Sequence, residues 1–349
     1  MASIISYFMK NARASSSDVN SAVANQKKTA TATDLFKKVE NSDSCEYDCT
    51  SCIVKYPKNF KIDEDDKLFG TISEWSTHLL VATGKSDWVK DVADEKGSVM
   101  EAIVKFADVK PNNGEMMISA SNIPTPSHPA NYDDPTTVLL LPAWLVIENV
   151  TPKSVNTLIA EFVNKAPTNS SITCEQKPEN FSLPQVVELL SSRPCPHNAI
   201  ILLCSQGTRD ARCGQSAPLL KKEFERHLRE YGLLRDLDDE TPGGVGIYFI
   251  SHVGGHKYAA NVMIYRKEDA FGLDNLENVE GDQGATELLP QSSIVEKKLK
   301  GAAQCIWLAR IRPKDCQAII KHTVLRGRVV KPETQLRGGF DRTREVFSW

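Results

Sequence analysis

The strongest fold signal in the chain is AIILLCSQGTRDARC, residues 199–213. Its first five residues, 199–203, are apolar and predict a strand that is buried on both faces. Ser216 is a good candidate for the N-cap of a helix that follows this strand. A strand, a turn and a helix in this order open an α/β unit.

The chain contains this order of elements twice. The first copy starts with the strand HLLVA at residues 78–82, and its last helix is expected to begin at Thr151-Pro152. The second copy starts at residues 199–203, and its last helix is expected to begin at Pro313. In both copies a helix and a pair of strands lie between. We therefore predict an α/β fold of two units, each on the thioredoxin plan.

Changes in composition divide the chain into five parts. Stretches rich in small and polar residues predict a flexible arm at the start and a linker between the units, with one short helix at 183–190. The stretch 268–287 has seven acidic residues and no basic one, which predicts a solvated loop. The expected parts are the arm (1–40), a degenerate thioredoxin-like domain (41–165), the linker (166–197), a second thioredoxin-like domain (198–330) and a C-terminal tail (331–349).

Charge and hydropathy exclude several classes of protein. The 349 residues include 42 Lys and Arg against 45 Asp and Glu, a net charge of −3, so no nucleic-acid partner is expected. The longest apolar run, residues 138–147, is too short to span a bilayer. No secretion signal follows Met1, which favours the cytoplasm. Lys10 and Arg13 precede the first acidic residue, so a mitochondrial presequence is an alternative, and the nucleus is another.

Four residues of the second unit have the character of metal ligands. Cys204 ends the first strand of the unit, and Cys213 follows nine positions later. His252 and His256 flank Val-Gly-Gly directly after the next strand, where two glycines favour a tight loop over a helix. Because open α/β sheets bind ligands at the carboxyl ends of their strands, we expect the two thiols and two imidazoles to form one four-ligand site.

The spacing of the cysteines bears on which metal they bind. Zinc and a 2Fe–2S cluster both accept two thiolates and two imidazoles, but structural zinc usually takes its first ligand pair at a spacing of about two to four residues. The eight residues between Cys204 and Cys213 form a wider loop, which favours a two-iron cluster. Two alternatives stay open here: a zinc-binding interaction module that uses the same four residues, and a thiol oxidoreductase based on Cys204, which lacks a Cys-x-x-Cys partner.

The motifs of both units resemble the sucrase/ferredoxin-like family, in particular its fungal "actin patches distal" branch. The marks of that family in this chain are HLLVATGK (78–85) with Asp87-Trp88, the pair Cys204 and Cys213, and HVGGHKYA (252–259). The resemblance implies one 2Fe–2S cluster outside the Rieske fold, with the ligands Cys204, Cys213, His252 and His256. It also makes residues 198–330 a thioredoxin-like ferredoxin domain. The expected role is electron transfer with an unidentified redox partner, and no catalytic constellation indicates an enzyme.

A second cysteine motif, Cys-x3-Cys-x2-Cys, is formed by Cys45, Cys49 and Cys52. Radical enzymes that use S-adenosylmethionine bind a 4Fe–4S cluster with this spacing, but they place it after the first strand of a large barrel, and no barrel pattern follows here. We therefore expect reduced thiols, with a zinc site that takes a fourth ligand from elsewhere as the alternative.

The last three residues, Phe347, Ser348 and Trp349, resemble the C-terminal tripeptide by which client proteins reach the cytosolic iron–sulfur targeting complex. That complex is therefore an expected partner. The alternative is that Trp349 packs against its own domain.

Overall fold

The computed structural model describes residues 28–39, 48–49, 51–127, 131–170, 184–275 and 301–349. The strands in these ranges are β1 (Lys28–Thr29), β2 (Lys37–Lys38), β3 (Thr77–Ala82), β4 (Met116–Ser121), β5 (Thr136–Leu141), β6 (Leu145–Val150), β7 (Val186–Val187), β8 (Leu190–Pro194), β9 (Ala199–Cys204), β10 (Leu234–Arg235), β11 (Val245–Ile250), β12 (Val262–Arg266), β13 (Gln304–Leu308), β14 (Arg328–Val329), β15 (Leu336–Asp341) and β16 (Val346–Phe347).

The helical segments are mostly short. The α-helices are α1 (Val99–Glu101), α2 (Val155–Thr157), α3 (Ala211–Glu230), α4 (Cys316–Ala318) and α5 (Pro332–Gln335). The π-helical turns Ala102–Phe106, Leu158–Val163 and Ile319–Val324 extend α1, α2 and α4. Short 3₁₀ turns cover Val92–Asp94, Pro152–Ser154, His256–Tyr258 and Pro313–Asp315. No helix in the described ranges has the length and apolarity needed to cross a bilayer.

Fourteen of these strands form one mixed sheet, in the order β1-β16-β15-β13-β12-β9-β11-β4-β3-β5-β6-β8-β7, with β10 paired to one end of β11. In the first half, β3 is parallel to β4 and antiparallel to β5, and β5 is antiparallel to β6. In the second half, β9 is parallel to β11 and antiparallel to β12, and β12 is antiparallel to β13. The predicted α/β class is therefore confirmed, and the two halves share one pairing pattern.

A short contact between β4 and β11 joins the two halves. Ser121 and Ile250 form the one register pair between these two strands, both of which are fully described. Next to this pair, the side chain of Ser121 donates to the Phe249 carbonyl at 3.0 Å, and the Asn122 side chain accepts from the Phe249 N–H at 2.7 Å. Because Ile250 also pairs with Cys204 of β9, the junction lies beside the residues predicted as ligands.

Apolar side chains cover both faces of the second half-sheet. Leu220, Phe224 and Leu228 of α3 are fully buried in the same cluster as the odd-numbered residues of β9. The even-numbered residues of β9 belong to a second cluster, in which the Trp75 and Trp307 rings meet edge to face at 5.7 Å between centroids. Since alternate residues of a strand point to opposite faces, β9 is buried on both faces, as predicted.

The prediction of a flexible arm at 1–40 is wrong for its last part. Within residues 28–39, β1 pairs with β16, and β2 pairs with β14. Leu35 and Phe36 are 0% and 1% exposed. Their burial anchors this segment in the core of the second half. Residues 1–27 lie outside the described ranges.

The predicted linker 166–197, with its helix at 183–190, also needs correction. Strands β7 and β8 lie in this segment, and β8 extends the first half-sheet by pairing with β6. Leu189 is 84% exposed. The apolar residues that suggested a helical face therefore belong to a hairpin at the edge of the sheet. Residues 171–183 lie outside the described ranges.

The predicted tail 331–349 is an integral part of the sheet. Strand β15 pairs with β13, and β16 pairs with β15. A Cβ atom on Gly339 would lie 1.9 Å from the Cys305 carbonyl oxygen, and the φ of Gly339 is +134°. Glycine at this position therefore permits a close approach of two strands, and does not mark the start of a free end.

Part of the acidic segment 268–287 is anchored as well. Arg266, at the end of β12, is fully buried and donates from Nη1 to the Asp274 carboxylate at 2.9 Å. A buried guanidinium needs such a counter-charge. Phe271 and Leu273 are also buried, so the prediction of a solvated loop is wrong for residues 271–274. Residues 276–287 lie outside the described ranges.

His78 generates a prediction about acid stability. It is fully buried on β3, its Nε2 lies 2.9 Å from the Ser119 hydroxyl, and its Nδ1 lies 3.1 Å from the Tyr265 hydroxyl. Burial lowers the pKa of His78 from 6.5 to about 3. Below pH 6.5, His78 is protonated in the unfolded chain but stays neutral in the folded chain. The free energy of unfolding therefore falls as the pH falls. Between pH 7 and pH 5, this one residue should lower the free energy of unfolding by about 2 kcal/mol.

The test is urea unfolding at both pH values. From pH 7 to pH 5, the free energy of unfolding should fall by about 2 kcal/mol less in the variant His78→Gln than in the unmodified chain. The control variant Ser119→Ala removes a hydrogen-bond partner but keeps the titrating ring, so it should retain the pH dependence. An unchanged pH dependence in His78→Gln would contradict the assignment.

Candidate metal centre

Strand β9 and helix α3 position the two cysteines. Cys204 is the last residue of β9, and Cys213 is the third residue of α3. The helix begins earlier than predicted, because Asp210 is its N-cap and accepts from the Arg212 N–H at 2.9 Å. Ser216, the predicted cap, is buried inside the helix. Asp and Ser cap helices about equally well, so residue preference alone could not show whether the helix begins after Asp210 or after Ser216.

The two thiols and one imidazole converge. The Sγ atoms of Cys204 and Cys213 are 3.4 Å apart, and Nδ1 of His252 is 3.8 Å from Sγ of Cys204. These three ligand atoms lie within 4.8 Å of one another, the one such group found in the part of the chain that the structure describes. Two thiolates on one tetrahedral metal ion lie about 3.8 Å apart, given metal–sulfur bonds of about 2.3 Å. The thiol pair therefore fits a shared metal ion after a small adjustment.

The fourth predicted ligand, His256, lies beside this group and not within it. The rings of His252 and His256 are 5.3 Å apart between centroids. Gly254 and Gly255 have φ values of +82° and +65°, so the two histidines flank a tight left-handed loop, as predicted. The side chain of His256 is 47% exposed, and its Nε2 is 3.9 Å from the Asp210 carboxylate.

The thiol pair is electrically asymmetric. The pKa of Cys204 is lowered, chiefly by the hydrogen bond between the two thiols, and the His252 ring adds to the effect. The pKa of Cys213 is raised by the same hydrogen bond and by burial. A bound metal ion would replace the shared proton and stabilise both sulfurs as thiolates.

Arg337 and Asn261 hold the histidine loop in place, and the sequence analysis missed both. The Arg337 guanidinium donates to the Gly254 carbonyl at 3.0 Å and to the Asn261 side chain at 2.9 Å. The Asn261 amide donates in turn to the Gly255 carbonyl at 3.1 Å. Arg337 comes from β15, within the segment predicted as a tail, so no local signal connected it with the loop.

The first half of the chain holds the cysteine loop. The Asp87 carboxylate accepts from the N–H of Thr208 at 3.1 Å and from its hydroxyl at 2.9 Å, and the Ser205 hydroxyl donates to the Ser86 carbonyl at 2.7 Å. Gln206 bridges to the histidine loop, since its Oε1 accepts from the His252 N–H at 2.8 Å. The loop between the two cysteines is therefore fixed by residues of both halves.

The second cysteine motif is only partly described, because Cys45 lies outside the described ranges. Cys49 has its Sγ 3.8 Å from Nε2 of His227 and accepts from the Arg226 guanidinium at 3.5 Å. Neither Cys49 nor Cys52 belongs to a group of three ligand atoms within 4.8 Å among the described residues. Neither forms a disulfide within the described residues, and reduced cysteines at these two positions stay a prediction.

Comparison with known proteins gives a family match over most of the chain. A model described as sucrase/ferredoxin-like matches residues 68–338. The chain is 28% identical to actin patches distal protein 1 of Saccharomyces cerevisiae over 302 residues, 82% of this chain and 81% of that protein. It is 24% identical to altered inheritance of mitochondria protein 32 of Meyerozyma guilliermondii over 324 residues, 83% of this chain and 92% of that protein. No solved structure matches.

The closeness of two glycine backbones at the site generates a prediction. A Cβ atom on Gly214, in the first turns of α3, would lie 2.8 Å from the Cα of Gly207 in the cysteine loop. The variant Gly214→Ala should therefore push the loop away from the helix, lower stability by about 1–3 kcal/mol and reduce metal content. Urea unfolding and metal analysis of the purified protein test this. Gln215→Ala, at the exposed neighbouring position, is the control, and equal behaviour of the two variants would contradict the prediction.

Proposed function

The chain belongs to the sucrase/ferredoxin-like family, and from this premise we propose that it binds one 2Fe–2S cluster and transfers electrons. The proposed ligands are Cys204, Cys213, His252 and His256. The observation that carries the proposal is their arrangement in two pairs, with the thiol sulfurs 3.4 Å apart and the imidazole rings 5.3 Å apart.

The paired arrangement suits a centre with two metal ions. Each iron of a 2Fe–2S cluster takes two protein ligands. The thiol pair would bind one iron, and the two histidines, which share one short loop, would most simply bind the other. When bound, the cluster supplies one-electron chemistry. The protein contributes a buried thiol pair and a loop fixed by Arg337 and Asn261.

The repeated strand pairing supports a further part of the proposal. Four strands in each half, β4-β3-β5-β6 and β11-β9-β12-β13, follow the same order and directions. We propose that both halves are thioredoxin-like units and that the second is the ferredoxin domain. In this proposal the chain is an electron carrier or redox sensor and not an enzyme.

The histidine ligands make proton coupling part of the proposed function. An imidazole bound through one nitrogen keeps a second nitrogen that can carry a proton, whereas a thiolate ligand has no such group. Reduction makes the centre more negative and so favours protonation of the ring. The exposure of His256 supports proton exchange with water.

One observation favours the zinc alternative. Cys204, Cys213 and His252 alone form a compact group of three ligand atoms, and His256 lies outside it. Three protein ligands of this kind can hold a single zinc ion. Metal analysis separates this zinc-binding interaction module from the iron–sulfur proposal.

The expected partner complex and compartment remain predictions. Phe347 and Ser348 are 3% and 6% exposed, and the Trp349 ring packs 4.7 Å from the Trp75 ring. Recognition of these residues by the cytosolic iron–sulfur targeting complex would therefore require them to leave this packing. We propose the cytoplasm as the compartment. The mitochondrion is the alternative, because one relative is named altered inheritance of mitochondria protein 32.

Metal content is the first test of the proposal. The purified chain should be red-brown and contain about two iron and two acid-labile sulfide per chain. Single His252→Ala and His256→Ala variants should lose most of the cluster, because one iron lacks a ligand. The control variant His322→Ala changes a histidine in the π-helical turn Ile319–Val324 and should keep the cluster. A colourless protein with one zinc would support the alternative instead.

The redox potential provides the second test. Replacing both His252 and His256 by Cys should preserve a cluster, lower its potential by a few hundred millivolts, roughly the interval between all-cysteine and histidine-ligated centres, and flatten its pH dependence. Spectroelectrochemical titration from pH 6 to pH 9 measures both effects. If both histidine-to-alanine variants keep a full cluster with unchanged spectrum and potential, these histidines are not ligands.

A further inference from the structure

A cleft of about 730 Å³ lies beside the junction of the two half-sheets. On one side is β4, which pairs with β3 over its whole length but with β11 only at Ser121. On the other side is the histidine loop, residues 251–255. The volume falls in the range of about 300–1,000 Å³ that is typical of small-molecule sites.

Aromatic and long apolar side chains form much of its wall. They are Ile72, Trp75, Val92, Met117, Ile118 and Trp307. Trp75 and Trp307 are buried, whereas Ile72, Met117 and Ile118 are half-buried in the described chain. The half-buried side chains present the apolar surface of the cleft, and the sulfur of Met117 can make favourable contacts with an aromatic ring, which favours a flat, polarisable occupant.

The charges that line the cleft balance. Lys90, Arg209 and Arg337 are matched by Glu74, Asp91 and Glu115. The Arg337 guanidinium also donates hydrogen bonds to Gly254, Asn261 and Thr71. It stacks on the Trp307 ring at 4.7 Å from the ring centroid. No excess of positive or negative charge is left among the lining residues, which favours an uncharged occupant.

His252 lies in the wall of the cleft and is also a proposed cluster ligand. A molecule in the cleft would therefore lie beside the metal centre. We propose that the cleft binds an uncharged, planar aromatic redox carrier with the size of a flavin ring system. The redox character of the occupant rests on the proposed function, whereas its shape and charge rest on the cleft alone.

Equilibrium dialysis of the purified full chain against riboflavin tests the proposal, because the method is insensitive to the colour of the protein. Riboflavin, which is uncharged, should bind, and flavin mononucleotide, which adds an anionic phosphate, should bind at least several-fold more weakly. The variant Met117→Lys adds a charge to the apolar wall and should weaken riboflavin binding at least tenfold. Val186→Lys, at an exposed strand position on β7, is the matched control and should bind like the unmodified chain.

A surface variant keeps the test decisive if Met117→Lys does not fold. Glu115 is an exposed residue that lines the cleft. The variant Glu115→Lys gives the lining residues an excess of positive charge. It should strengthen binding of flavin mononucleotide several-fold and leave riboflavin binding within about twofold. Absence of riboflavin binding by a preparation with normal iron content would overturn this inference alone. Riboflavin binding by a preparation with zinc and no iron would overturn the proposed function and leave the cleft assignment intact.

Discussion

Ser121 and Ile250 pair across β4 and β11, and through this contact two half-sheets become one sheet. The arrangement of the candidate metal centre depends on it, because the first half contacts the cysteine loop across this junction. Ser86 and Asp87 then bind Ser205 and Thr208 of that loop. Because β11 ends at this contact, the chain continues from it into the histidine loop, and a cleft lies between that loop and β4.

The candidate centre combines two buried cysteines with two less buried histidines. Cys204 and Cys213 are 2% and 1% exposed and hydrogen-bonded to each other, so their positions are determined by packing as well as by the loop. His252 and His256 lie on a loop that depends on glycine conformations and on the buried Arg337. Residues from three separate parts of the chain therefore position the candidate ligands.

Local signals in the sequence were sufficient for the main strands and for the candidate ligands. An uninterrupted apolar run such as 199–203 identifies a strand buried on both faces. The edges of the sheet were not predictable in this way. Thr29 pairs with Phe347, and short edge strands with mixed composition have no periodicity that would indicate such a distant partner.

The α/β class, the twofold order of elements and the four candidate ligands could be predicted from the sequence, because each depends on residues close together in the chain. The strands in the segments predicted as arm, linker and tail became visible only in the tertiary structure, as did the support of the histidine loop by Arg337. The tertiary structure also separated His256 from the compact group formed by the other three ligand candidates. These features depend on contacts between distant segments, whose energies are set by burial and backbone pairing and leave no pattern in any short stretch of sequence.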